Sequence, residues 1–314
     1  MLAVKLAIVI AAAYFIYQKL TNHSSLQFTD FVEQLSNNHV ITFWSILLLL
    51  FATVVNWVFE ILKWRTLTRH VKLLTFQESA AQTLGGLTTS LFTPNRIGEY
   101  GAKALFFSKT ERIQILSLNF IGNMGQLVVT LIFGIIGIIF FTSHFKISFH
   151  KYLAISVVIV CVVLIAALII RSQFQKRSSL QNTSWRRFFS FFESVPWEIH
   201  LKNLGFSTIR YLVFAHQLYY ILLLFDISTS YFLTMSAITS MYLISSIVPM
   251  LSIFDVVVKG SIAVWLFSFL SISEVSALSA IALMWILNFV LPSIVGSYYV
   301  MTFSFPPEKK PITS

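Results

Sequence analysis

Long apolar runs separated by short polar segments dominate the chain. They fall at Leu6–Tyr17, Val40–Phe59, Ile113–Phe141, Tyr152–Ile170, Leu204–Phe225, Tyr231–Val248, Val256–Leu270 and Val275–Met301. A helix needs about 20 apolar residues to cross the hydrocarbon core of a bilayer, and most of these runs approach or exceed that length. The pattern predicts an all-α polytopic membrane helix bundle of about eight transmembrane helices. A further piece, Ala80–Phe92, is too short to cross and holds Gly85-Gly86 and a Thr88-Thr89-Ser90 cluster. It reads as a re-entrant or buried helix. Val256–Leu270 is short as well, and reads either as a span or as a second re-entrant segment. The first run follows Lys5 as a secretory signal would, but Ala11-Ala12-Ala13 lies inside the run and aromatic residues follow it. It is read as an uncleaved first span.

Composition agrees. Of 314 residues, 57% are hydrophobic and 11% charged, with mean hydropathy +0.80, whereas a soluble domain carries about 25% charged residues. A soluble globular enzyme is excluded. The net charge of +10 would suggest nucleic acid on a soluble protein. Here the basic residues gather between apolar runs: Lys63, Arg65, Arg69 and Lys72, then Arg171, Lys176, Arg177, Arg186, Arg187 and Lys202, then Lys309 and Lys310. Such loops orient spans and meet anionic lipid, so no nucleic-acid partner is expected. The positive-inside rule places the N-terminus, the central loop and the tail in the cytoplasm, with a bacterial inner membrane as the expected location. Eight spans and one re-entrant piece satisfy that parity. The chain reads as a single integral membrane domain, residues 1–314, with halves at about 1–150 and 151–304 and a short cytoplasmic tail at 305–314.

The longest polar segment, Arg171 to Asn203, is too short for a catalytic domain of usual size. Its Phe188-Phe189 and Phe191-Phe192 beside Arg186-Arg187 read either as an amphipathic stretch lying on the inner leaflet or as a solvated loop with interfacial aromatics. The lone cysteine, Cys161, precludes a disulfide within the chain. The seven histidines form no ligand spacing, and neither a phosphate-binding P-loop nor a dinucleotide fingerprint is present. No metal, no cofactor and no catalytic residue set is expected.

Two polar interruptions echo each other. The first runs Thr93-Pro94-Asn95-Arg96-Ile97-Gly98-Glu99-Tyr100-Gly101-Ala102-Lys103; the second runs from Val248-Pro249 through Asp255 to Lys259-Gly260. Each has a proline, then an acid, then a lysine four residues on. Glu99 and Asp255 are 156 residues apart, as are Lys103 and Lys259, close to half the chain. Interrupted helices at corresponding places in two halves point to a transporter's binding site. An acid and a lysine at i and i+4 share a helix face and can pair, and ionisable groups at membrane depth normally face a partner or a water-filled cavity. The helix start after Pro94 offers free N–H groups to a phosphate, and Arg96 adds a bidentate donor. The bland reading is an ordinary capped helix start at the membrane surface. The second segment has no arginine and no counterpart to Gly98, so Asp255 and Lys259 read as the weaker half.

At these residues the chain resembles the transmembrane domain of lysylphosphatidylglycerol synthases, a flippase-like family. The resemblance rests on Pro94, Arg96, Gly98 and Glu99, on the Gly-Gly-containing piece before them, and on the proline-plus-acid segment of the second half. It implies a protein that moves lipid between leaflets, as the membrane half of the multiple peptide resistance factors moves aminoacylated phosphatidylglycerol. With no soluble aminoacyl-transferase domain after the last span, the chain is expected to be a stand-alone member that does not itself synthesise lipid.

The remaining polar positions carry less. Asn119, Asn123 and Gln126 share one small-residue helix face, which reads as helix packing or as the lining of a headgroup path. Arg210, Gln217 and Tyr220 make a similar stripe, with Arg210 read as snorkelling. Asn56, Glu60 and Lys63 are assigned surface pairing and no site role. The favoured function is translocation of a phospholipid or polyprenyl-phosphate lipid, with Pro94, Arg96, Gly98, Glu99, Lys103, Asp255 and Lys259 as substrate-binding residues. A partner or regulator of a separate synthase or glycosyltransferase, and a membrane-embedded lipid-modifying enzyme, are the alternatives.

Overall fold

The computed structural model describes residues 42–91, 93, 97–146, 184–225, 229–247 and 255–304. The predicted spans Leu6–Tyr17 and Tyr152–Ile170, Cys161, Pro94, Arg96 and the tail at 305–314 lie outside the described residues. All regular structure among the described residues is helical. In chain order the helices are α1 (Phe43–Thr68), α2 (Phe76–Ser90), α3 (Ile97–Leu105), α4 (Arg112–His144), α5 (Ser184–Ser194), α6 (Trp197–Leu224), α7 (Tyr231–Ile247), α8 (Asp255–Ser268), α9 (Glu274–Trp285) and α10 (Leu291–Thr302). A five-residue π turn, Ile286–Val290, joins the last two.

Among the described residues, three helical stretches are long and apolar enough to cross a membrane: Phe43–Thr68, Arg112–His144 and Glu274–Thr302. Their outward faces are apolar, with Leu47, Phe51 and Val54 on α1, Ile132, Ile136 and Ile139 on α4, and Ile294, Val295 and Tyr298 on α10 all exposed. Polar side chains turn inward instead, the arrangement that lipid as solvent demands. Helix starts are fixed by local chemistry. Thr42 caps α1 by accepting from the Ser45 N–H at 3.2 Å, and Thr75 and Glu78 close a reciprocal capping box at the head of α2.

The helix boundaries repeat. Shifted by 156 positions, α1 covers 199–224, against Trp197–Leu224 for α6; α2 covers 232–246, against Tyr231–Ile247 for α7; α4 covers 268–300, against Glu274–Thr302 for α9 to α10. The packing repeats too, in crossed fashion. α1 lies on α6, α2 packs on α10, and α7, the counterpart of α2, packs on α4. Small residues allow both crossings: Gly296 sits under Leu84 and Thr88, while Gly134 and Gly137 sit under Leu243 and Thr239.

α2 and α3 pack together as one pair, and α7 and α8 as the other. They have 15, 9, 17 and 14 residues. At 1.5 Å per residue none reaches across a hydrocarbon core about 30 Å thick. α2 thus has the short length expected of Ala80–Phe92, and α8 has the length of the re-entrant alternative for Val256–Leu270. The polar central segment is helical over Ser184–Ser194. Its Phe188 ring meets Phe120 at 5.6 Å, and Phe191 and Phe192 pack against a core that includes Trp64, Phe107 and Val195. Over those residues the segment is thus a helix packed on the protein, and the solvated-loop alternative is not the one found.

Candidate functional site

The first acid–lysine pair is sealed. Lys103 Nζ donates to Glu99 Oε1 at 2.6 Å and to Asn119 Oδ1 at 2.9 Å, and lies 4.1 Å from the centroid of the Trp64 ring. Trp64 is itself fixed by its indole N–H, which donates to Gln82 at 2.8 Å. Glu99 and Lys103 are 2% and 1% exposed. Two glycines let the arms of this hairpin close. A Cβ on Gly86 would come within 3.1 Å of Glu99 Cγ, and one on Gly98 would come within 2.5 Å of the Thr89 carbonyl. The Gly98 N–H donates to Thr93 Oγ1 at 2.7 Å. Gly98 is thus needed for close approach at the neck of the hairpin, a packing reason for its place in the motif.

The second pair has the same register and a different setting. Lys259 Nζ donates to Asp255 Oδ2 at 2.6 Å, but the side chains are 24% and 33% exposed. Both residues line an open cavity of about 430 Å³ whose wall is built from α1, α2, α4, α6, α7, α8, α9 and the π turn. The sequence ranking, with Asp255 and Lys259 as the weaker half, is inverted in accessibility: the pair at the cavity is theirs. Of the three amides on α4, Gln126 lines the cavity. Asn119 is taken up by Lys103, and the Asn123 amide donates to the Tyr100 hydroxyl at 2.9 Å. Those two serve helix packing, one of the two readings of that face.

Opposite the second pair lies a charge cluster that corrects the sequence reading. Asn56, Glu60 and Lys63 are 3%, 7% and 2% exposed, so they are not a surface set, and Lys63 does not belong to the basic loop. Arg210 does not snorkel. Its Nε donates to the Asn56 carbonyl at 3.2 Å and to Asn56 Oδ1 at 3.1 Å, its Nη1 pairs with Glu60 and lies 3.4 Å from Gln126 Oε1, and Lys63 pairs with Glu60 at 2.7 Å. The network continues through Asn56 Nδ2 to Asn288 Oδ1 at 3.0 Å, and from Asn288 Nδ2 to Gln217 Oε1 at 2.8 Å. Gln217 in turn donates to the Leu49 carbonyl and to Thr53 at 2.9 and 3.0 Å. Such a chain fixes α1, α6 and the π turn to one another, and buried networks of this kind are demanding because each member needs its partners.

Pro292 explains the π turn. It has no N–H to give the Asn288 carbonyl four residues back, and its ring crowds that carbonyl. The ladder widens, with the Leu291 N–H reaching the Ile286 carbonyl, and the Asn288 carbonyl accepts from the Trp57 indole at 3.3 Å. π turns of this kind recur at functional sites. Asn-x-x-x-Pro inside an apolar span was the available signal for this position. Glu60 and Arg210, 150 residues apart, had no local signal.

The cavity wall is mixed. Arg210, Lys259, Gln126 and Ser246 are polar; Trp57, Phe214, Met284 and Phe289 are not. Three more wall residues, Tyr211, Tyr242 and Trp285, are more than nine-tenths buried, and their hydroxyl or indole groups have no hydrogen-bond partner among the described residues. A few hundred Å³, apolar walls and a small number of converging polar groups describe a site for an amphipathic ligand. No group of three or more histidine, cysteine or acidic residues able to hold a metal occurs among the described residues.

Among known proteins, a family model described as the lysylphosphatidylglycerol synthase TM region matches residues 2–296. No curated protein and no solved structure matches the chain.

Proposed function

Starting from the fact that the chain belongs to the lysylphosphatidylglycerol synthase transmembrane-region family, and is an integral membrane protein, we propose that it moves a phosphate-bearing lipid between leaflets, with the headgroup held in the cavity between the two halves. The observation that carries this is the joining, in one 430 Å³ space, of the Arg210 guanidinium, the Lys259 ammonium and an aromatic wall. A guanidinium presents the planar fork suited to phosphate, and the apolar surfaces suit the start of the acyl or prenyl chains. Ionisable groups are costly in a membrane unless they line such a path or pair with each other; here they do both. The headgroup position moves from Glu99, which is walled off, to the side where Asp255 and Lys259 stand. The proposal places the protein in a bacterial inner membrane with both termini in the cytoplasm, receiving its lipid from a separate synthase or glycosyltransferase.

The test is a leaflet-exchange assay. Purified protein is placed in vesicles with a trace of headgroup-labelled phosphatidylglycerol, and an impermeant reductant quenches the outer leaflet. Protein-containing vesicles should lose the protected half of the signal, and Lys259→Gln should slow that loss about tenfold. Protection equal to that of empty vesicles would remove the translocase reading.

A further inference from the structure

The geometry points to an anionic, phosphate-bearing headgroup without a cationic moiety as the occupant of this cavity; the inference rests on the lipid-binding reading above and narrows it to a substrate class. Three observations carry it. The first is charge. Among the described residues of the lining, two are cations, Arg210 and Lys259, and one is an acid, Asp255. That acid already accepts the Lys259 ammonium at 2.6 Å, and Glu60, beside Arg210, is shared between Arg210 and Lys63. Both cations are engaged as fully as the acids, so what separates the two headgroups is the excess of one positive charge among the described lining residues, which favours an anion.

The second observation is the aromatic wall. Aromatic faces can hold a quaternary ammonium, which would favour a zwitterionic headgroup. In this cavity the faces nearest the polar end already have a cation. Lys259 Nζ lies 5.8 Å from the Phe214 centroid and 6.0 Å from that of Tyr242. An incoming ammonium would meet a like charge there.

The third is a set of donors lacking acceptors. The Tyr211 and Tyr242 hydroxyls and the Trp285 indole are buried in the wall without a partner among the described residues. Tyr211 and Tyr242 stand edge to face, their ring centroids 6.0 Å apart. A buried donor left unmade is costly, and native proteins keep few of them without a reason. The indole N–H is a donor only, and a phenol hydroxyl can donate. These three atoms are closed off from the cavity as it stands, so the acceptor oxygens of a phosphate would meet them only with rotation of their rings on binding.

The experiment is a thermal-shift titration of the detergent-purified full chain with dihexanoyl phosphatidic acid, dihexanoyl phosphatidylglycerol, dihexanoyl phosphatidylcholine, dihexanoylglycerol and inorganic phosphate. Phosphatidic acid and phosphatidylglycerol should stabilise the protein at concentrations at least tenfold below those needed for phosphatidylcholine. Dihexanoylglycerol and inorganic phosphate should each give smaller shifts than phosphatidic acid, because each has only half of the required chemistry. Lys259→Gln should weaken the two anionic lipids about tenfold. Tyr211→Phe and Tyr242→Phe keep ring shape and delete the unpartnered hydroxyl. They should weaken the anionic lipids while leaving the lipid-free melting temperature unchanged or higher, an outcome that a merely structural hydroxyl would reverse. Phosphatidylcholine binding as tightly as phosphatidylglycerol, or anionic affinity indifferent to Lys259→Gln and to both tyrosine changes, overturns the inference while leaving lipid binding intact. Inorganic phosphate acting as strongly as phosphatidic acid overturns the lipid as the source of the phosphate. No shift with any lipid overturns the lipid-binding reading itself.

Discussion

The two hairpins carry the same pattern of acid and lysine, four residues apart and 156 positions from each other, yet one pair is sealed and the other faces a cavity. What differs is the neighbourhood. Lys103 has Asn119 as acceptor, Trp64 as an aromatic face and Gly86 as a gap into which the pair fits. At the positions 156 further on stand Val275, Tyr220 and Tyr242. The acceptor is lost, and where glycine left room a tyrosine fills it and lines the cavity wall. The last span is altered as well. α4 runs unbroken through 33 residues, whereas its counterpart is interrupted by the π turn, which brings Asn288 into the polar network. An i,i+4 ion pair is thus a neutral building block. Whether it acts as a structural lock or as part of a site is decided by what three other helices place beside it.

The comparison can be broken most directly by removing one charge from each pair. Glu99→Gln leaves a buried lysine without its carboxylate and should cost about 3–5 kcal/mol of stability. Asp255→Asn, in a pair that water reaches, should cost less than about 1 kcal/mol. Equal losses in a denaturation series on the purified protein would end the distinction between lock and site.

The glycine–tyrosine difference gives the next largest effect. Gly86→Ala places a methyl against Glu99 Cγ in the sealed hairpin, and overpacking of this kind costs about 1–3 kcal/mol. Serine at the same position should behave alike. A Gly86→Ala protein as stable as the parent would show that the sealed hairpin has slack, and that Gly86 is not what allows it to close.

The smallest effect concerns the interrupted span. Trp57→Phe deprives the Asn288 carbonyl of its donor and should cost about 1 kcal/mol. In a Pro292→Ala background the backbone N–H restored at that position can serve the carbonyl, so the same change should cost measurably less. A double-mutant cycle checks this, and additive costs would mean that Pro292 and Trp57 do not share the carbonyl.

Much of this was legible in the chain itself. Hydropathy alone located the three helices long and apolar enough to cross among the described residues, because a membrane requires about 20 consecutive apolar residues and backbone satisfied within each helix. The 156-residue echo located both ion pairs, because i,i+4 pairing is a property of a single helix; the second hairpin was not foreseen, since Tyr231–Val248 read as a full span and its helix has 17 residues. Gly98 stood out in the motif, and the structure supplies its reason. Burial, by contrast, was not legible. Glu60 and Arg210 lie 150 residues apart and each has an ordinary local setting, so surface pairing and snorkelling were the natural readings until α1 packed on α6 and brought them into contact. The same holds for the ranking of the two hairpins. Sequence similarity to the motif favoured Glu99, but accessibility to a ligand depends on side chains contributed by helices distant in the chain. The sequence by itself determined which segments are apolar enough to be spans and which charges stand beside them; only the tertiary structure decided which of those charges meet each other and which meet a cavity, because that is fixed by long-range helix contacts that no local pattern encodes.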